Sequence, residues 1–195
     1  HQIRWAFGAG VDKKNHAPFE ARFGFPLVEA WAMTETGAAA CIMANREPRH
    51  VGTSCFGRCE DFVQVRLVDD EGADVANGTP GELLVRSAGP DPRRYFFQAY
   101  LKDEAATAEA WADGWFHTGD MVKRDAEGNM YFVDRKKNVI RRSGENISAV
   151  EVESVLNQHP AVHASAVAAT PDTVRGDEVL ACIVLSKEEL NSDVQ

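Results

Sequence analysis

Between Trp115 and Ile147 the chain sets two aromatic-rich segments around one turn cluster, which limits the fold more than any other stretch. Trp115-Phe116-His117-Thr118-Gly119-Asp120 reads as a strand pattern that runs into a Thr-Gly-Asp turn. Asp125-Ala126-Glu127-Gly128-Asn129 is a hairpin-type turn, and Met130-Tyr131-Phe132-Val133 is the returning strand. A cationic run, Arg135-Lys136-Lys137, follows, and the stretch closes through Ser143-Gly144-Glu145-Asn146. The pattern predicts Asp120 and Arg135 at the ends of two strands laid side by side. A carboxylate there accepts two hydrogen bonds from a ribose diol, and a guanidinium reaches the same sugar or a phosphate. The spacing suits a nucleotide site, and it suits equally a solvated hairpin with ordinary surface charges.

The 195 residues are 44% hydrophobic and 26% charged, as in a globular protein of one or two modules. The chain opens on His1 rather than Met and is read as a piece of something longer. No apolar run is long enough to cross a bilayer and no signal-peptide pattern is present, so a transmembrane segment is not expected. A net charge of −9 argues against nucleic acid as a partner, because phosphate backbones need a basic surface. It leaves room for a nucleotide, which needs only a few local cations. Cys41, Cys55, Cys59 and Cys182 are irregularly spaced and predict reduced thiols in a cytoplasmic protein. Cys55 and Cys59 have no second pair to complete a zinc site.

Residues 3–10 read as a buried strand ending in Gly8-Ala9-Gly10, a small-residue turn that lets a flat ring approach the backbone. An ordinary strand-to-helix turn has the same pattern. Pro18 fits the first turn of a short helix over Phe19–Phe23, with Gly24 as its stop. Leu27–Trp31 reads as a strand leading into the polar turn Ala32-Met33-Thr34-Glu35-Thr36-Gly37. In α/β sheets ligands gather at such carboxyl ends. There Thr34 offers a hydroxyl, Glu35 a carboxylate suited to Mg²⁺, and Trp31 a face for a purine. Helix capping is the commoner use of a Thr-Glu pair.

Alternation over Phe62–Asp69 and the segment Glu82–Arg86 predict antiparallel strands separated by turn clusters. Tyr95, Phe96, Phe97 and Tyr100 are assigned to the core, and Asp103 caps a helix over Glu104–Trp111. Ser148-Ala149-Val150-Glu151 is a capping box for a helix that stops before Pro160. Strands are expected at Val162–Ala168 and Glu178–Leu185, with Thr170-Pro171-Asp172 beginning the turn between them. The fold class is therefore mixed α+β. The end of an α/β sheet layer (1–60) precedes a small antiparallel, barrel-like subdomain (61–135) and a partial α+β domain (136–195). A hinge fits the charged segment Arg135–Asn138, and Lys187–Gln195 reads as the start of a further element.

Taken in order, these signals resemble the adenylate-forming, AMP-binding superfamily of acyl-CoA synthetases, adenylation domains and luciferases. They are most similar to acyl-CoA ligases of the carnitine/crotonobetaine-CoA ligase type, over nearly the whole chain. The resemblance implies that Gly8, Ala9 and Gly10 line an adenine pocket and that Glu29 and Ala30 lie between it and the acyl group. Trp31-Ala32-Met33-Thr34-Glu35 stands where the family has Tyr-Gly-x-Thr-Glu, so Thr34 touches phosphate and Glu35 holds Mg²⁺. Asp120 becomes the ribose ligand, Arg135 its companion and Lys137 the hinge about which the small domain swings. Arg141 replaces a common Lys in a catalytic role, and Ser143-Gly144 lines the coenzyme A tunnel. Gly81-Glu82 and Tyr100 resemble a further family segment, with Ala99 in place of its Gly.

The implied reaction is ATP-dependent activation of a carboxylic acid, then transfer of the acyl group to coenzyme A, as in fatty acid or carnitine metabolism. Loading of a carrier protein, or nucleotide binding without catalysis, are the alternatives. The family's Ser/Thr/Gly-rich phosphate loop is not found before His1, and its adenylation lysine falls beyond Gln195. On this reading the isolated segment is inactive.

Overall fold

The computed structural model describes residues 2–186, so the element expected from Lys187 lies outside the described residues. The chain forms two compact units, one ending at Val133 and one beginning at Asp134. Among the described residues, three α-helices and thirteen strands in three sheets give the mixed α+β class that the patterning predicts.

The first unit opens with strand β1 (Ala6–Gly8), helix α1 (Lys13–Phe23), strand β2 (Leu27–Trp31) and strand β3 (Ile42–Met43). β1 and β2 are parallel, and α1 is the crossover that a parallel pair requires. β3 adds to β2 in the antiparallel sense. The helix begins well before the expected Phe19 because Asp12 caps it, its carboxylate accepting from the Lys14 and Asn15 N–H groups. Pro18 therefore sits inside the helix, while Gly24 ends it in the left-handed conformation. His16, buried, fixes the helix to its surroundings: Nε2 donates to Leu27 O at 2.6 Å and Nδ1 accepts from the Gly52 N–H at 3.1 Å. The expectation of a buried first strand fails. Only Ala6–Gly8 forms the strand, and Ile3, Trp5 and Phe7 are each more than half exposed.

The larger sheet contains β4 (Cys55–Gly57), β5 (Val63–Val68), β6 (Gly81–Ser87), β8 (Trp115–Arg124) and β9 (Met130–Arg135) in the order β4-β9-β8-β6-β5. Helix α2 (Glu104–Ala110) leads into β7 (Trp111–Ala112), which pairs with β8. β6 is an interior, apolar strand between β8 and β5, with Leu83, Leu84 and Val85 all buried, and β5 pairs with it along its whole length. Phe56, Phe116, Val122 and Met130 join Trp31 and Ile42 in one core. Gly57 is dictated by packing: a Cβ there would stand 2.4 Å from Met43 O, at φ +91°. Phe96 enters the core as expected, but Tyr95, at φ +70°, is thrown outward and is 70% exposed.

The second unit is a sheet in the order β11-β10-β13-β12, built from β10 (Val139–Arg142), β11 (Glu145–Ser148), β12 (Val162–Asp172) and β13 (Gly176–Leu185). β10 and β11 form a hairpin that the sequence pattern does not show. Its turn residues Ser143 and Gly144 both have positive φ, as a tight two-residue hairpin requires. Ser148 caps helix α3 (Ala149–Leu156), its Oγ accepting from the Glu151 N–H. The order is thus strand–strand–helix–strand–strand. Thr170-Pro171-Asp172 belongs to β12 rather than to a turn. Proline is tolerated on this edge strand, and the chain reverses only after Asp172, whose carboxylate accepts from the Val174 and Arg175 N–H groups. Ile140, Ala149 and Val167 form the core of this unit.

Candidate nucleotide site

The parallel pair sets the geometry. Gly8 is in register with Glu29, so the turn Gly8-Ala9-Gly10 leaves β1 beside the end of β2, and Ala32–Gly37 leaves β2 itself. Both turns lie at carboxyl ends of parallel strands, the usual place for a ligand. Thr36 shapes the second turn: its hydroxyl accepts from Met33 N–H at 3.2 Å and donates to Met33 O at 3.1 Å. With Thr36 buried, Thr34 is left exposed and Glu35 half-buried.

Glu29 and Ala30 are buried in β2. The Glu29 Oε1 accepts from Val11 N–H at 3.0 Å, and Oε2 lies 4.0 Å from His16 Nδ1. Burial raises the Glu29 carboxyl above its ordinary value, against the pull of the Val11 N–H. This side chain braces the turn after β1 from behind.

Trp31 is also a core residue, 5% exposed and packed on Phe56 at 6.3 Å between ring centroids. The ring surface expected for a purine is therefore largely occupied by protein. Its polar edge does something the sequence does not reveal: Nε1 donates to Asp120 Oδ2 at 2.8 Å.

Asp120 reaches that position through an irregularity in β8. Thr118-Gly119-Asp120 is not the expected turn at a strand end but a bulge inside a ten-residue strand. Glu82 pairs with Met121 and Leu84 with His117, so Leu83 alone faces Thr118, Gly119 and Asp120. Gly119 takes φ +66°. The Thr118 hydroxyl donates to Leu83 O at 2.7 Å and accepts from Asp120 N–H at 3.1 Å. Glu82 Oε1 accepts from Gly119 N–H at 3.3 Å and lies 3.4 Å from His117 Nδ1. Thr36, Thr118 and Glu82 lie in motifs that the sequence marks, but their bracing roles do not show there, because hydroxyls and carboxylates that bond locally have no periodic signature.

A second connection runs from Glu35. The Tyr100 hydroxyl donates to Glu35 Oε1 at 3.1 Å, and Phe97 N–H donates to Glu35 O at 2.8 Å. The exposed Thr34 hydroxyl and the Glu35 carboxylate are hard oxygen donors. They suit Mg²⁺, which keeps several waters and takes one or two protein ligands beside phosphate oxygens.

The remaining predicted residues belong to the second unit. Arg135 N–H donates to Asp134 Oδ1 at 2.7 Å. Asp134, fully buried, also accepts from the Ser148 hydroxyl at 2.8 Å and from Val150 N–H at 3.2 Å, so it anchors the start of α3. Lys137 lies in a 3-10 turn, Lys136–Asn138. Arg141 is exposed on β10, its N–H held by Asp177 Oδ2 at 3.0 Å. Ser143 N–H donates to Arg175 O at 2.8 Å, which pins the Ser143-Gly144 turn.

The fold agrees with comparisons to known proteins. Residues 1–92 match the family of AMP-binding enzymes, and residues 151–195 match the AMP-binding enzyme C-terminal domain. The chain belongs to the AMP-binding, adenylate-forming enzyme superfamily. It is 33% identical to the crotonobetaine/carnitine–CoA ligase of Shigella flexneri serotype 5b, over 99% of this chain and 37% of that protein. The chain thus spans little more than a third of the length of the curated relatives it matches. Among solved structures, the o-succinylbenzoate CoA synthetase of Bacillus subtilis with its acyl-adenylate superposes with a TM-score of 0.78 at 28% identity, covering 96% of this chain and 38% of that one. The same synthetase with ATP and magnesium gives 0.77 at 28% identity, covering 95% and 37%. The amide bond synthetase of Marinactinospora thermotolerans gives 0.74 at 30% identity, covering 94% and 36%. No helix among the described residues is long and apolar enough to cross a membrane.

Proposed function

We propose that the enzyme carrying this chain is an ATP-dependent carboxylic acid–CoA ligase. The observation that carries this reading is the joining of Asp120 to the end of β2 through Trp31, a few residues before Thr34 and Glu35. A sugar-binding carboxylate and a phosphate-facing turn thereby share one scaffold. In the first half-reaction a carboxylate oxygen attacks the α-phosphorus of ATP, the bond to the β-phosphate oxygen breaks, and pyrophosphate leaves. In the second, the coenzyme A thiol attacks the acyl carbon, the carbon–oxygen bond to phosphate breaks, and AMP leaves. Magnesium, when bound by Glu35, supplies charge neutralisation at the phosphates. The chain's own residues orient: Thr34 toward phosphate and Asp120 toward ribose, with Gly8, Ala9 and Gly10 beside the adenine.

The small unit takes the other roles. Lys137 is the hinge, a reading supported by the division of the chain just before it and by the charged 3-10 turn that holds it. Arg141 and the Ser143-Gly144 turn, on adjoining parts of one hairpin, serve the thioester-forming step and coenzyme A. A cytoplasmic setting accords with four free cysteines.

A second reading has one specific support, the likeness to an amide bond synthetase: the same adenylate would be captured by an amine. The deciding experiment is a carboxylate panel on the full-length enzyme with ATP and either coenzyme A or amines. Coenzyme A-dependent AMP release supports the ligase, and amine-dependent release without coenzyme A turnover supports the alternative. The 195 residues alone are expected to give no ATP–pyrophosphate exchange, and exchange above background would contradict that.

A further inference from the structure

The turn that carries Glu35 is clamped by one short segment, Tyr95 to Tyr100. Phe97 N–H holds Glu35 O at 2.8 Å, and the Tyr100 hydroxyl holds Glu35 Oε1 at 3.1 Å. A Cβ at Gly37 would lie 3.2 Å from Tyr95 O, so the two backbones also run close together. Tyr100 is itself fixed from two sides. Its N–H donates to the Thr107 hydroxyl of α2 at 3.0 Å, and that hydroxyl donates to Asp103 O at 2.7 Å. Its ring packs on Phe97 at 4.7 Å, and Phe97 packs on core Phe116 at 5.6 Å. A phenol held this way has little rotational freedom, so its hydroxyl leaves Glu35 one preferred rotamer.

We propose that Tyr100 is a positioning residue for the magnesium-binding carboxylate: it occupies one oxygen of Glu35 and turns the other toward the metal beside the nucleotide phosphates. The proposal rests on the reading of Glu35 as the magnesium ligand. A carboxylate on a half-exposed turn samples several rotamers when unsupported. Fixing it before the metal arrives removes that ordering cost from binding.

The test is calorimetric titration of Mg²⁺ into the full-length enzyme saturated with ATP, without carboxylate substrate, for wild type, Tyr100→Phe, Glu35→Gln and the double variant. Phenylalanine keeps the ring and its packing. Loss of one hydrogen bond to a charged group should raise the Mg²⁺ concentration for half-saturation by about threefold to tenfold in Tyr100→Phe. Binding of metal-free ATP and the thermal midpoint of the apo-enzyme should stay near wild type, which a merely structural role would not produce. The double variant should bind Mg²⁺ no worse than Glu35→Gln alone, because Tyr100 acts only through Glu35. Magnesium affinity unchanged in Tyr100→Phe but weakened in Glu35→Gln overturns the positioning role and leaves the metal site standing. Affinity unchanged in both overturns the metal assignment and this proposal together.

Discussion

Trp31 and Asp120, 89 positions apart in sequence, meet through a 2.8 Å hydrogen bond inside the first unit, with both side chains buried. One residue closes β2 and the other rides the bulge of β8. This bond ties the strand that carries the Thr34-Glu35 turn to the strand that carries the candidate ribose ligand.

Trp31→Phe removes the Nε1 donor together with part of a buried ring, so a cavity cost adds to that of the lost bond. A buried carboxylate that loses a charge-assisted hydrogen bond costs about 1–3 kcal/mol. Urea unfolding of the full-length protein should show a loss of at least that size, with ATP affinity falling as Asp120 gains freedom. A variant as stable as wild type, with unchanged affinity, would make the bond incidental.

Two glycines should respond differently to alanine. At Gly119 a Cβ meets nothing within 4 Å, so the cost is backbone strain alone, about 1 kcal/mol. At Gly57 the same Cβ would collide with Met43 O at 2.4 Å, and the strand must move. Thermal melting should therefore leave Gly119→Ala folded with a modest loss, whereas Gly57→Ala loses several times as much or fails to fold. Equal losses would contradict the packing described here.

Asp134 is fully buried and accepts three hydrogen bonds, from Arg135, Ser148 and Val150. Asp134→Ala removes the acceptor that the Ser148 hydroxyl and Val150 N–H use at the start of α3, at a cost of about 2–4 kcal/mol. Amide hydrogen exchange should report lost protection across α3 and β11. Wild-type protection there would show that the helix start does not depend on this carboxylate.

The second unit also carries a pH-dependent contribution. Hydrogen bonds from Arg142, at 2.8 Å, and from Arg175 hold the Glu178 carboxyl down at about 2, from an ordinary value of 4.5. A depressed acid binds fewer protons folded than unfolded, so its contribution is present above pH 4.5 and is lost as pH falls toward 2. The acid limb of stability should flatten in Glu178→Gln, as read by melting between pH 5 and 2. An acid limb parallel to wild type would refute the assignment.

Much of this architecture is legible from local chemistry. Leu27–Trp31, the β5–β6 pair, the Asp103 cap and the Ser148 cap are all where alternation and capping residues place them. The misses share a cause, in that pairing partners decide them. The bulge at Gly119 exists only relative to β6. The strands of the β10–β11 hairpin, Val139-Ile140-Arg141-Arg142 and Glu145-Asn146-Ile147-Ser148, are four residues long and carry no apolar–polar alternation, so nothing in them registers as strand. Pro18 suits a first helical turn so well that the Asp12 cap upstream is overlooked. Trp31 keeps the aromatic type a stacking residue needs, yet its burial depends on Phe56, which no local pattern links to it.

The central claim is that Asp120 belongs to the nucleotide site, and ATP affinity of Asp120→Asn in the full-length enzyme tests it most directly. Asparagine keeps an acceptor for Trp31 and so preserves the fold, but it lacks the charge and the second acceptor oxygen that grip a ribose diol. The account predicts ATP binding weaker by about 10- to 100-fold, equivalent to about 1.4–2.7 kcal/mol, with near-native stability. Affinity within about twofold of wild type, in a folded variant, would contradict it.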